Sequence, residues 1–195
     1  MPKSAREYGI TEIFYSIQGE GFYSGMPAIF IRLAGCNDNC DFCDTDYSLK
    51  VRMTAKEILD KCAEWVNCSN IIFTGGEPLL QVDLELVKAF HLLNYSMYVE
   101  TNGSVDISKE LKGYLWVTCS PKFLPIQIVK ERIDELKLLY NEQGRYMPTD
   151  FDNWEGCKKY LQPVFGVTEK GTVKYVKDHP EWFLSVQAHK FIGVE

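Results

Sequence analysis

Histidine is scarce in this chain, three in 195 residues, and acidic residues outnumber basic ones, 27 Asp and Glu against 21 Lys and Arg, for a net charge of −6. Gripping nucleic acid or an anionic membrane surface takes clustered Lys and Arg, so neither partner is expected. No apolar run approaches the roughly 20 residues that span a bilayer. The opening stretch, Met1 to Tyr8, is polar and charged, where a secretory signal has an apolar core. Internal repeats, low-complexity tracts and linkers are missing too, so residues 1–195 read as a single domain with one sizeable core. The seven cysteines are an odd number, with Cys36, Cys40 and Cys43 crowded together and Cys62, Cys68, Cys119 and Cys157 scattered. That distribution excludes a disulfide framework and fits a reducing cytosol with one metal site.

What is present is a regular alternation. "AIFIRLAG" (28–35) reads as a buried strand that ends at Gly35, directly before Cys36. Thr54 and Glu57 make a capping box for a helix over 54–66, with Ile58, Leu59, Cys62, Trp65 and Val66 on one face. A strand over 70–74 is broken by Gly75 and Gly76. A helix over 82–93 follows, capped by Asp83, with Leu86, Val87 and Phe90 toward the core. Further strands are predicted at 96–101, 114–120, 135–140, 159–164 and 183–187, a short helix at 128–133 and a last helix at 168–179. Such alternation implies βα units and a parallel sheet. About six mostly parallel strands in this length predict an α/β fold, an incomplete βα barrel rather than a closed eight-unit one. Chemistry in such sheets gathers at the carboxyl ends of the strands. There the sequence places the cysteines, "GGEP", "ETNG" and "CSPK" in turn.

The spacing C-x3-C-x2-C leaves two readings open. A structural zinc site takes four ligands, usually from two paired knuckles. No second pair exists here, but one of His91, His179 or His189 folding back would supply the fourth ligand. The other reading is a [4Fe–4S] cluster on three thiolates, whose fourth iron is left free for a small molecule.

This cysteine loop, with Phe42 inside the last gap and "GGEP" (75–78) one βα unit later, resembles the radical S-adenosylmethionine superfamily. Within it the chain is similar to the family of 7-carboxy-7-deazaguanine synthases. The blocks that carry the resemblance run in order: "SIQGEGFYSGMPAIFIRLAGCNDNCDFCDTDYS" (16–48), "FTGGEPLL", "YVETNGS", "VTCSPK", "YLQPV" and "SVQAHKFIGVE". The stretches 46–69 and 124–158 match less. The resemblance implies a partial barrel of the radical SAM type, with a [4Fe–4S] cluster, S-adenosylmethionine and Mg2+ as cofactors. The implied reaction converts 6-carboxy-5,6,7,8-tetrahydropterin to 7-carboxy-7-deazaguanine with loss of ammonia, on the way to queuosine-type 7-deazapurines. A flavodoxin or ferredoxin electron donor and a homodimer are implied as well. Because the radical arises on the cofactor, no catalytic side chain is expected.

The same resemblance assigns residues. Cys36, Cys40 and Cys43 would hold the cluster and Thr45 the magnesium, as an oxygen ligand beside substrate and water; the bland alternative for Asp44 and Thr45 is a turn or a helix cap. Gly75, Gly76, Glu77, Ser120, Pro121, Lys122 and Gln162 would meet S-adenosylmethionine. Ile17, Gln18, Gly19, Glu20, Thr74 and Glu195 would meet the pterin. Arg32 would meet its carboxylate, which suits a guanidinium fork; the bland alternative for Arg32 is a surface ion pair. Two rival functions stay open. A radical SAM activase acting on a partner protein needs the cysteine loop but not the "IQGEG", "CDT" and "HKFIGVE" blocks. A zinc-stabilised binding module needs only the metal.

Overall fold

The fold was analysed in a computed structural model that describes residues 5–41, 43, 45–141 and 145–194. Phe42, Asp44 and Glu195 lie outside the described residues. Nine strands form one sheet in the order β3-β1-β2-β4-β5-β6-β7-β8-β9. In chain order the elements are β1 (Glu7–Ile17), β2 (Pro27–Leu33), β3 (Val51–Thr54), α1 (Ala55–Cys62), β4 (Asn70–Gly75), α2 (Leu84–His91), β5 (Ser96–Thr101) and α3 (Lys109–Lys112). Then come β6 (Leu115–Cys119), β7 (Glu135–Tyr140), β8 (Lys158–Pro163), α4 (Glu169–Asp178), β9 (Phe183–Leu184) and α5 (Ala188–Ile192).

From β2 through β9 every pairing is parallel, while β1 pairs antiparallel with both β2 and β3. The parallel part matches the expected strands closely. The antiparallel hairpin of β1 and β2, and the short β3 beside it, were not expected. Expected α1 is shorter than the 54–66 pattern: it stops at Cys62, and Val66, placed on the apolar face, is 85% exposed. The helix expected at 128–133 is a single 3-10 turn, Lys130–Arg132, and the last strand has two residues. The Thr54–Glu57 capping box and the Asp83 cap are both present.

Strand pleat divides each strand between two environments. One set packs under the helices: Ile29, Ile31, Ile71, Phe73, Met97, Val99, Leu115 and Val117 join Ile58, Leu86, Val87 and Phe90 in one buried cluster. Leu136, Leu138 and Leu161 continue it against Phe151 and Trp182. The alternate set, including Arg32, Thr74, Glu100, Lys137 and Gln162, faces the other side of the sheet and lines a cavity. The sheet is rolled. Glu20, just after β1, accepts a hydrogen bond from Gln162 Nε2 on β8 at 3.2 Å. In a flat sheet those two strands would stand six spacings, roughly 29 Å, apart. The roll stays open, because β3 and β9 end the strand order without pairing with each other.

Candidate active site

The concave face of the rolled sheet and the loops at the carboxyl ends of its strands enclose a cavity of about 740 Å³. Cys36, Cys40 and Cys43 lie on one wall; Gln18, Glu20 and Lys137 lie on the floor side, and Arg32, Thr74 and Thr45 complete the surround. Of the residues expected to meet ligands, Ile17, Gly19, Gly75, Gly76, Ser120, Lys122 and Gln162 line it too. Pro121 and Glu77 do not.

The cysteine loop is fixed by the polar residues between its first two cysteines. Asn37 exchanges hydrogen bonds with the "ETNG" loop, donating to Ser104 Oγ at 2.9 Å and accepting from Asn102 Nδ2 at 3.2 Å. The Asp38 carboxylate accepts from the Phe123 and Leu124 N–H groups at 3.2 and 3.3 Å, which ties the loop to the segment after "CSPK". Its own N–H donates to Cys36 Sγ at 3.4 Å. Gly76 explains the neighbouring glycines. A Cβ there would run into the Gly35 carbonyl and Cys36 Cβ, so only glycine lets the second loop lie against the first. The Glu77 N–H donates to the Gly35 carbonyl at 3.0 Å across that contact.

The donor set fits a cluster: a cubane takes three thiolates on three separate irons, and Cys36, Cys40 and Cys43 all line the one cavity. His91 packs edge-on against Tyr114 and His179 stacks on Tyr175; only His189 lines the cavity. Burial pushes the Cys36 thiol up and, with Asp38 beside it, the Cys40 thiol to about 11. Such thiols ionise readily only beside a cationic partner, and bound iron is one.

Glu77 lies behind the cavity lining. Its carboxylate is fully buried and accepts from Leu79 N–H at 2.9 Å, Thr101 Oγ1 at 2.8 Å and Asn102 N–H at 2.7 Å. Burial still pushes its carboxyl up, against those three donors. In this arrangement it joins the second loop to the third, and Gly75 and Gly76 offer the backbone to the cavity. Lys122 donates to Ser120 Oγ at 2.6 Å. Burial and the nearby Lys137 ammonium pull its pKa down.

The substrate side is a network with more charge than the sequence motifs announced. The Lys137 ammonium, 4% exposed, pairs with Glu20 and, at 3.1 Å, with Glu100. Glu20 also accepts from Gln162 and from Gln187 Nε2, the latter at 2.9 Å, and Gln18 Nε2 donates to Glu100 at 2.7 Å. Burial favours a protonated Glu20, but the Lys137 charge and hydrogen bond outweigh it and hold the carboxyl at about 2. Gly19 sits under the carboxy-terminal segment: the Ala188 N–H donates to its carbonyl at 2.9 Å, and a Cβ there would strike the His189 ring. Arg32 makes an ion pair and also faces the cavity. Its Nε pairs with Glu12 at 2.6 Å while its side chain faces the cavity over Phe14. Glu100, Lys137 and Gln187 were not singled out in the sequence, and His189 was named there only as a candidate zinc ligand.

Residues 30–137 match the Radical SAM superfamily model. A 7-carboxy-7-deazaguanine synthase of Bacteroides thetaiotaomicron is 38% identical over 185 residues, covering 95% of this chain and 97% of the relative. The synthase of Bradyrhizobium diazoefficiens is 37% identical over 212 residues, with 96% and 99% covered. Among solved structures, QueE from Escherichia coli superposes with a TM-score of 0.78 at 24% identity, over 94% of this chain and 95% of that one. Streptococcus suis SuiB bound to precursor peptide SuiA shares the fold more distantly, with a TM-score of 0.55 at 14% identity over 76% of this chain and 46% of that one. Three thiols and a buried carboxylate network facing one cavity, on a rolled parallel sheet, therefore agree with the relatives that align end to end: the chain belongs to the 7-carboxy-7-deazaguanine synthase family of the radical SAM superfamily.

Proposed function

We propose that the chain is a 7-carboxy-7-deazaguanine synthase, converting 6-carboxy-5,6,7,8-tetrahydropterin to 7-carboxy-7-deazaguanine with loss of ammonia. The observation that carries this reading is the shared cavity: it is lined by three thiols and by a network of amides and partly buried carboxylates suited to a polar heterocycle. An activase acting on a partner protein would have no use for an ion-paired floor behind its cluster loop.

Cys36, Cys40 and Cys43 would hold the [4Fe–4S] cluster, which with S-adenosylmethionine supplies the hydrogen-abstracting radical when both are bound. The protein's part is placement. Gly75, Gly76, Ser120, Lys122 and Gln162 would seat S-adenosylmethionine between the cysteines and the floor. Gln18 and Glu20 would accept and donate along the pterin edge, with Ile17, Gly19 and Thr74 as walls. Arg32 would take the substrate carboxylate with the part of its fork that Glu12 leaves. Thr45, on the rim two residues past Cys43, would give its hydroxyl to Mg2+. Glu195, at the end of the segment that docks on Gly19, is proposed as a further substrate contact.

All seven cysteines are free thiols, in keeping with work in the cytosol; no described helix is long and apolar enough to cross a membrane. A flavodoxin or ferredoxin as electron donor, and a homodimer of single-domain subunits, complete the proposal. Anaerobic purification tests it: the protein should carry about four irons with matching sulfide per chain, and should cleave S-adenosylmethionine faster when the pterin is added. Zinc without iron, or cleavage indifferent to the pterin, would refute it.

A further inference from the structure

Lys137 is a buried cation that no motif requires. It lies on β7 between Leu136 and Leu138, which face the opposite side into the core, so the pleat alone turns it into the cavity. Burying an ammonium with two carboxylates is costly, and apolar residues of similar volume often stabilise a fold as well or better. Its retention here is accounted for by what it holds. Glu20 comes from the loop after β1 and Glu100 from β5, and a single Nζ bonds both. Gln18, Gln162 and Gln187 donate to the same two carboxylates, so three side-chain amides and one ammonium converge on one acceptor pair.

We infer that Lys137 is a positioning residue: its ammonium bonds Glu20 and Glu100 together and orients both, so the cavity floor presents paired acceptors to the N–H edge of the substrate heterocycle. This deepens the synthase reading and rests on it. Without the ammonium, two carboxylates that now share one atom would be like charges at close range in a buried site. One of them would retain a proton near neutral pH. A protonated carboxyl offers a donor where the substrate's amino and ring N–H groups also offer donors, and the recognition fails. The other charged or titratable groups facing the trio are Glu135 on β7, Lys122 after β6 and His189 on α5. The Lys137 charge also acts on Glu135 and Lys122, so the assignment to the Glu20–Glu100 pair rests on comparing Lys137→Met with Lys137→Met/Glu100→Gln.

The test uses cluster-loaded protein without reductant and measures pterin and S-adenosylmethionine dissociation constants from pH 6 to 9. Lys137→Met should weaken pterin binding at pH 7 roughly 10- to 100-fold, the size of one or two charge-assisted hydrogen bonds. S-adenosylmethionine binding should change less than about twofold, on the same scale. Relative to wild type, the variant's pterin affinity should rise with pH as the shared proton leaves. Lys137→Arg should keep most of the affinity. Lys137→Met/Glu100→Gln, which removes one charge of each sign, should lose the added pH dependence and covers the case in which the single variant folds poorly. Unchanged pterin affinity in Lys137→Met would overturn the inference, as would equal loss for both ligands without added pH dependence. A wild-type protein that binds no pterin would overturn the synthase reading, and this inference with it.

Discussion

Glu20 and Glu77 are both carboxylates removed from water, and they titrate in opposite directions. Glu77 is surrounded by neutral donors alone, so burial wins and its carboxyl is pushed up. Glu20 faces the Lys137 ammonium and sits at about 2. The signs follow. A carboxyl held below its unfolded value, about 4.5, stabilises the fold above that pH and loses its contribution as the pH falls through 2. A raised one does the reverse: its contribution is complete at low pH and is lost as pH rises through the folded value. Glu20→Gln should therefore cost on the order of 2–3 kcal/mol in urea melts at pH 6, and the cost should shrink steadily between pH 4.5 and 2. A cost independent of pH would show that the ion pair contributes little. Thr45→Ala makes a second prediction at this scale. It should raise the Mg2+ concentration for half-maximal turnover at least about tenfold, the loss of one oxygen ligand, and leave the visible absorption of the cluster intact. Bleaching would instead assign Thr45 to the cysteine loop. The motif residues were legible because cysteine spacing and paired glycines are rare by chance. Lys137 and Glu100 were not: a single polar residue inside "ELKLLY" or "YVET" has no local signature, and only the roll of the sheet brings the two together.

Among the elements, the parallel strands were legible because their core-facing residues recur within short apolar runs, and β5 and β7 fall on the expected residues. β1 escaped notice. Its Glu7, Gly9 and Glu12 interrupt the apolar pattern, and its register against β2 shifts between Ile10 and Glu12, as at a bulge. One antiparallel neighbour, β2, follows it in a hairpin, but the other, β3, lies beyond the cysteine loop, and no local window contains it. α1, in contrast, was marked by its own cap. The Glu57 N–H donates to Thr54 Oγ1 at 3.3 Å, and the Thr54 N–H returns the bond to Glu57 at 2.7 Å. Thr54→Ala should lower stability by about 1 kcal/mol, read as a shift in urea midpoint at unchanged slope, with cluster content untouched. A change of slope would mean that α1 frays as a separate unit rather than with the sheet.

For the whole molecule, the arrangement places four consecutive βα loops on one rim and turns alternate strand residues inward beneath them. The cysteines meet "GGEP" through Gly35 and Gly76, "ETNG" through Asn37, and "CSPK" through Asp38. A cluster wall and a charged floor thus belong to one enclosure, and neither is complete without the other. The most direct measurement of that claim is product formation by the anaerobically reconstituted protein given the carboxytetrahydropterin, S-adenosylmethionine, Mg2+ and a reductant. The expected result is 7-carboxy-7-deazaguanine and ammonia in equal amounts, lost when any one of Cys36, Cys40 or Cys43 is replaced by Ala. A loaded cluster that cleaves S-adenosylmethionine yet forms no deazapurine would contradict it.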